Sequence, residues 1–154
     1  MAFSFYSVGP GARGKVAGPP KAPTRILVAD DSGSVREQLR FLLESNPDWE
    51  VCGEAANGRE AVEKVRQLQP DLVVLDFSMP YMNGLQAAAG IAAECPQVPM
   101  LLFSMFLSRQ LVQEARKLGF RGAIAKADVS RDLLVGVATL LKHQEFFPSK
   151  FLPS

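Results

Sequence analysis

Four short apolar runs recur along the chain, and each closes on a residue able to hold a cation or a phosphate. Arg25-Ile26-Leu27-Val28-Ala29 ends at Asp30-Asp31, and Asp71-Leu72-Val73-Val74-Leu75 ends at Asp76. Val98-Pro99-Met100-Leu101-Leu102-Phe103 ends at Ser104, and Gly122-Ala123-Ile124-Ala125 ends at Lys126. Runs of this length, bounded by turn residues, read as strands buried on both faces of a parallel sheet. A fifth strand is predicted from Trp49 to Ala55, where Trp49, Val51 and Gly53 alternate with Glu50, Cys52 and Glu54.

Between the strands the apolar spacing becomes helical. Ser32 or Ser34 can cap a helix carrying Val35, Leu39, Leu42 and Leu43, which Asn46-Pro47-Asp48 breaks. Asn57 is a candidate cap for a helix through Ala61, Val62, Val65 and Leu68, stopped by Pro70. A third helix runs from Leu85 to about Glu94, and a fourth from about Ser108 to Leu118, closed by Gly119. The last starts near Asp128 or Ser130, carries Leu133, Leu134, Val137, Leu140 and Leu141, and ends near His143. Five strands alternating with five helices imply parallel pairing through right-handed crossovers. The expected fold is α/β, a doubly wound (βα)5 of flavodoxin-like order 2-1-3-4-5, with its crevice between the first and third strands. His143, the single histidine, falls at a helix end and reads as a cap or a solvent-facing side chain.

Composition narrows the picture. A chain of 154 residues with 47% hydrophobic and 21% charged positions can form one domain with a proper core. Residues 1–23 form a tail rich in glycine and proline, residues 24–143 the domain, and residues 144–154 a C-terminal tail or linker. A net charge of +1 gives no bulk electrostatic reason to bind nucleic acid or a membrane surface. No run approaches the roughly 18 apolar residues of a membrane span. The start of the chain lacks the basic region of a signal peptide, so the expected compartment is the cytoplasm. Cys52 and Cys95 lack metal-ligand spacing and read as free thiols in a reducing compartment.

In a parallel sheet all strands point one way, so the four run endings converge on one edge. Asp30, Asp31 and Asp76 are hard oxygen donors suited to Mg²⁺, and the backbone carbonyl of Ser78 can complete the set. Clustered carboxylates repel one another and raise at least one pKa. A divalent cation relieves that repulsion and neutralises an incoming phosphate. Asp76, ending the central strand, is placed as a nucleophile toward phosphorus. Lys126 supplies charge and Ser104 a hydrogen bond to the phosphoryl oxygens. The loop Phe77-Ser78-Met79-Pro80-Tyr81-Met82-Asn83-Gly84 is shaped by its turn residues.

This set, in this order, resembles the receiver domain of two-component response regulators over about Thr24 to His143. The marks are Val28-Ala29-Asp30-Asp31-Ser32, the segment from Val74 to Gly84, Leu102-Phe103-Ser104 and Ala123-Ile124-Ala125-Lys126. The resemblance implies that Asp76 is the phosphoacceptor and that Asp31 and Asp76 hold Mg²⁺, with Asp30 completing the acidic pair through water. It also implies that Ser104 is the switch hydroxyl and Lys126 the phosphate-binding lysine. A histidine kinase or phosphotransfer protein would donate the phosphoryl group. The face made by the fourth helix, fifth strand and fifth helix would then bind a partner or a second copy. Such a domain phosphorylates and dephosphorylates itself without being a metabolic enzyme.

Two positions depart from the family pattern. Ala123 stands where the family usually carries the aromatic that follows the switch hydroxyl, and Ala127 stands where a proline often follows the lysine. The second departure, with Leu141-Lys142-His143-Gln144-Glu145-Phe146-Phe147, resembles receivers that precede a LuxR-type helix-turn-helix. Only seven residues follow Phe147, so either a stand-alone receiver or a piece of a longer regulator is expected. Phe106, two residues past Ser104, is expected as a partly buried aromatic or as a lid that slows water attack and takes over some of the missing aromatic's role. Two other functions fit the residues less well. A receiver-like module acting without phosphorylation is compatible with Ala123. A Mg²⁺-dependent phosphohydrolase would need a general acid where Ser78 stands.

Overall fold

The computed structural model describes residues 21–153, and the glycine- and proline-rich segment 1–20 lies outside the described residues. Its strands are β1 (Thr24–Ala29), β2 (Trp49–Ala55), β3 (Leu72–Asp76), β4 (Met100–Ser104) and β5 (Gly122–Ala125). The helices are α1 (Gly33–Leu43), α2 (Gly58–Leu68), α3 (Gly84–Glu94), α4 (Arg109–Lys117) and α5 (Val129–Leu141). All strand pairs are parallel, in the order β2-β1-β3-β4-β5. The sheet thus has the flavodoxin-like order, and its direction of progression reverses between β1 and β3.

The strands form where the apolar runs stand because both sheet faces are covered. β3 and β4 are buried along their whole length. On one face Leu27, Val73, Leu75 and Leu102 pack under α2, α3 and α4; on the other, Ile26, Val28, Val74, Leu101 and Phe103 pack under α1 and α5. Successive residues serve opposite faces, so every position of β3 before Asp76 and of β4 before Ser104 is apolar. Each fully buried Leu or Val contributes about 1.5–3 kcal/mol relative to exposure.

Caps set where the helices begin. The side chains of Ser32, Asn57 and Ser108 accept hydrogen bonds from Val35 N, Glu60 N and Leu111 N. Asn83 and Gln86 form a reciprocal capping box on α3. Gly119 closes α4 at φ +103°, a conformation that only glycine adopts without strain. Lys126 does not extend β5; it opens a 3-10 turn, Lys126–Asp128, that leads into α5.

The residues beyond His143, expected as a tail or linker, pack against the body of the fold through residue 152. Phe146 N donates to Arg121 O at 2.9 Å and Ala123 N donates to Phe146 O at 3.0 Å, so the segment pairs with the outer edge of β5. Phe146 packs on the α1–α5 side, and Phe147, Phe151 and Leu152 pack on the α4 side. Aromatics on alternate faces of an extended backbone let two consecutive residues bury in opposite directions. The boundary at His143 therefore does not mark where packing stops.

Candidate functional site

The strand ends converge as their parallel direction requires. β1 delivers Asp30 and Asp31, β3 ends in Asp76, β4 in Ser104, and the turn after β5 begins with Lys126. Carboxylate oxygens of Asp30, Asp31 and Asp76 all lie within 4.8 Å of one another. Asp30 and Asp76 are buried, at 0% and 2% exposure, whereas Asp31 stands open at the mouth. Asp31, Asp76, Ser78, Ser104, Phe106 and Lys126 help to line an open crevice of about 430 Å³.

Lys126 is the charge partner of the buried pair. Its Nζ donates to Asp30 Oδ2 at 2.7 Å and lies 3.2 Å from Asp76 Oδ1. The same ammonium sits 5.2 Å from the centre of the Phe103 ring. Burial pulls the Lys126 pKa down, but the Asp30 hydrogen bond and the charges of Asp76 and Asp30 outweigh it and hold the pKa above its ordinary value. Asp76 moves in its own way. Burial, then the nearby Asp30 charge, push its carboxyl up to about 6 against the opposing pull of Lys126. The backbone N–H of Ser78 also donates to Asp76 Oδ1, at 3.4 Å.

Three carboxylates against one ammonium leave a local charge near −2 when all are ionised. Hard oxygen donors in that balance fit a small divalent cation. Asp31 and Asp76, with a carbonyl of the loop after β3, are the groups that would hold it. The ion would offset the repulsion that raises the Asp76 pKa.

A family model for the response regulator receiver domain matches residues 26–138. The chain belongs to that family. It is 44% identical, over 62% of its length, to a protein-glutamate methylesterase/protein-glutamine glutaminase of Nocardioides sp., and covers 26% of that protein. It is 37% identical, over 72% of its length, to the transcriptional regulatory protein LnrK of Bacillus subtilis, and covers 50% of it. The chain therefore spans half or less of these curated relatives. A LuxR-family two-component response regulator from Aurantimonas sp. SI85-9A1 superposes with a TM-score of 0.80 at 28% identity, over 84% of this chain and 93% of that one. The receiver region of two-component systems is thus the part of those proteins that this chain shares.

One expectation for this receiver needs correction. Phe106 is 82% exposed and is not the partly buried aromatic expected. It lines the crevice mouth and does not join the apolar cluster that contains buried Ala123, against which Leu107, Phe147 and Phe151 pack. The loop carries the Phe106 side chain outward, to the crevice mouth. Ser104 Oγ donates to Phe106 O at 2.8 Å, so the hydroxyl closes a turn within its own loop.

Two further residues were not singled out by pattern. Arg36 donates from Nη1 to Asp30 O at 2.7 Å and from Nε to Glu54 Oε1 at 2.8 Å, tying the acidic turn to β2. Its signal was only a charged residue near the start of α1. Gly84 presses against the end of β3: a Cβ there would lie 2.4 Å from Asp76 O. Gly84 N donates to Phe77 O at 2.8 Å, which brings the start of α3 close to Asp76. In the sequence Asn83-Gly84 carried only turn chemistry.

Proposed function

We propose that this receiver is a phosphorylation-controlled switch in which Asp76 accepts a phosphoryl group from the phosphohistidine of a histidine kinase or phosphotransfer protein. The observation that carries the reading is the placement of Asp30, Asp31, Asp76 and Lys126 at one crevice on the carboxyl edge of the sheet. A carboxylate oxygen of Asp76 attacks phosphorus, and the P–N bond to the donor imidazole breaks with its electron pair returning to nitrogen. With a pKa of about 6, Asp76 is mostly ionised at neutral pH and competent to attack. Lys126, already charged and aimed at Asp76, neutralises the phosphoryl oxygens as they arrive. Asp31, Asp76 and the Ser78 carbonyl, with Asp30 through water, would hold Mg²⁺, which would supply charge neutralisation.

The bound phosphoryl group competes with Phe106 O for the Ser104 hydroxyl. Transfer of that hydrogen bond draws the loop Met105–Leu107 inward and changes the face made by α4, β5 and α5. Partner binding or pairing of two copies is the output. The domain itself does not turn over a substrate; its chemistry is its own phosphorylation and hydrolysis. The test is labelling with a small phosphodonor such as phosphoramidate and Mg²⁺, followed by peptide mapping. Label on Asp76, lost in Asp76→Asn, is expected; label elsewhere in the crevice, or none, overturns the reading.

A further inference from the structure

β5 is an edge strand in the five-strand order, and the Phe146 backbone bridges to its outer side while the rest of 145–152 runs against α4. Several independent contacts hold this segment. The Phe146 backbone pairs with Arg121 and Ala123 at 2.9 and 3.0 Å. Arg116 of α4 reaches Glu145 at 3.0 Å and lies 5.4 Å from the centre of the Phe147 ring. Arg109 donates to the carbonyls of Leu152 and Lys150, each at 3.3 Å.

The fold leaves room for these contacts by omitting side chains. A Cβ on Gly122 would lie 2.8 Å from Phe146 O, and one on Gly136 of α5 would lie 3.1 Å from the Phe146 ring. Ala123 is fully buried in the cluster against which Phe147 and Phe151 pack. A cavity of about 570 Å³ separates the segment from the switch loop. Met105, Phe106 and Leu107 line one wall, and Phe146 and Phe151 line the other. The switch loop and the C-terminal segment thus face each other across one space.

We propose that the groove along β5 between α4 and α5 is a peptide-docking surface, that residues 145–152 are its resident occupant, and that phosphorylation of Asp76 loosens them. The proposal rests on Asp76 being the phosphoacceptor. When Ser104 leaves Phe106 O, the loop retreats toward Asp76 and the far wall of the cavity moves away from the segment. The segment's aromatics lose apolar cover, and the edge of β5 becomes available to an extended strand of a partner. Because the coupling is an equilibrium, loosening the segment must favour the phosphoryl-bound state by the same factor.

Hydrogen exchange on the full chain, with and without phosphoramidate and Mg²⁺, tests this, with Asp76 labelling read from the same samples by mass. Peptides covering 145–152 should exchange about tenfold faster in the labelled protein, within the usual range of allosteric coupling. Label on Asp76 with unchanged or slower exchange there overturns the coupling. No label on Asp76 overturns the phosphoacceptor reading and the coupling with it. Arg109→Ala combined with Arg116→Ala removes exposed anchors without touching the core. This variant should exchange faster at 145–152 without phosphodonor, and should bind beryllofluoride with Mg²⁺ about tenfold more tightly. A loosened segment with unchanged beryllofluoride affinity also overturns the proposal.

Discussion

The acceptor crevice and the β5 edge lie within one small domain, yet they are held by opposite means. At the crevice, buried charges are fixed by an ion pair of 2.7 Å, and Gly84 lets α3 press on the acceptor strand. At the β5 edge, small residues leave space that Phe146 fills from a separate segment. Charge geometry of the first kind tolerates little displacement, because a buried charge without its partner is costly. Aromatic packing of the second kind can be exchanged for another apolar partner at modest cost. The difference separates a place for chemistry from a place for response.

The largest effect should come from breaking the charge side of this contrast. Lys126→Met removes the cation facing Asp30 and Asp76, and initial phosphorylation rates with phosphoramidate should fall about 10²- to 10³-fold, as for loss of one preorganised donor. A rate within about threefold of the parent would show that Lys126 serves only to neutralise Asp30. Gly84→Ala should come next, because its Cβ would meet Asp76 O at 2.4 Å and the loop after β3 would have to shift. Denaturant unfolding should show a loss of about 1–3 kcal/mol, the usual cost of overpacking.

A third experiment sharpens the electrostatic account through pH. The Asp76 carboxyl binds its proton more tightly in the fold, at about 6, than in the unfolded chain, near 3.8. Its contribution to stability is therefore complete below about 3.8 and is lost as pH rises through about 6. Asp76→Asn abolishes that dependence. Without divalent ions the variant should be more stable than the parent by about 2–3 kcal/mol at neutral pH, with the gain fading toward pH 4. Added Mg²⁺ should stabilise the parent and leave the variant nearly unmoved. Parallel stability curves for the two proteins from pH 4 to 8 would remove Asp76 from the account.

The smallest effect belongs to Phe106, exposed at the crevice mouth. Phe106→Ala should shorten the phosphoryl lifetime by about threefold, through easier access of water to the acyl phosphate, with Tm unchanged. Decay of Phos-tag-shifted protein measures it directly. Equal lifetimes would confine Phe106 to the solvent-facing wall of the crevice.

Local signals made the sheet legible. Runs such as Leu72 to Leu75 admit no amphipathic reading, and Asn57 and Ser108 stand where caps must. The ligand-bearing ends followed from parallel direction alone, so Asp30, Asp31, Asp76, Ser104 and Lys126 could be gathered before their distances were seen. What stayed hidden depends on contacts between distant segments. Arg36 resembles any helix-surface arginine until its carbonyl partner is placed. The exposure of Phe106 follows from the path of a three-residue loop, which no periodicity encodes. The seating of Phe146 depends on space left by Gly122 and Gly136, and absent side chains leave no pattern of their own.

The hydrogen bond between Lys126 and Asp30 joins residues 96 positions apart. During synthesis Asp30, Asp31 and Asp76 leave the ribosome long before the lysine that balances them, at roughly 5–20 residues per second. A nascent chain ending before residue 126 lacks the ammonium that pairs with Asp30 and Asp76 in the fold. The charge balance of the crevice is therefore completed only when nearly the whole domain has emerged.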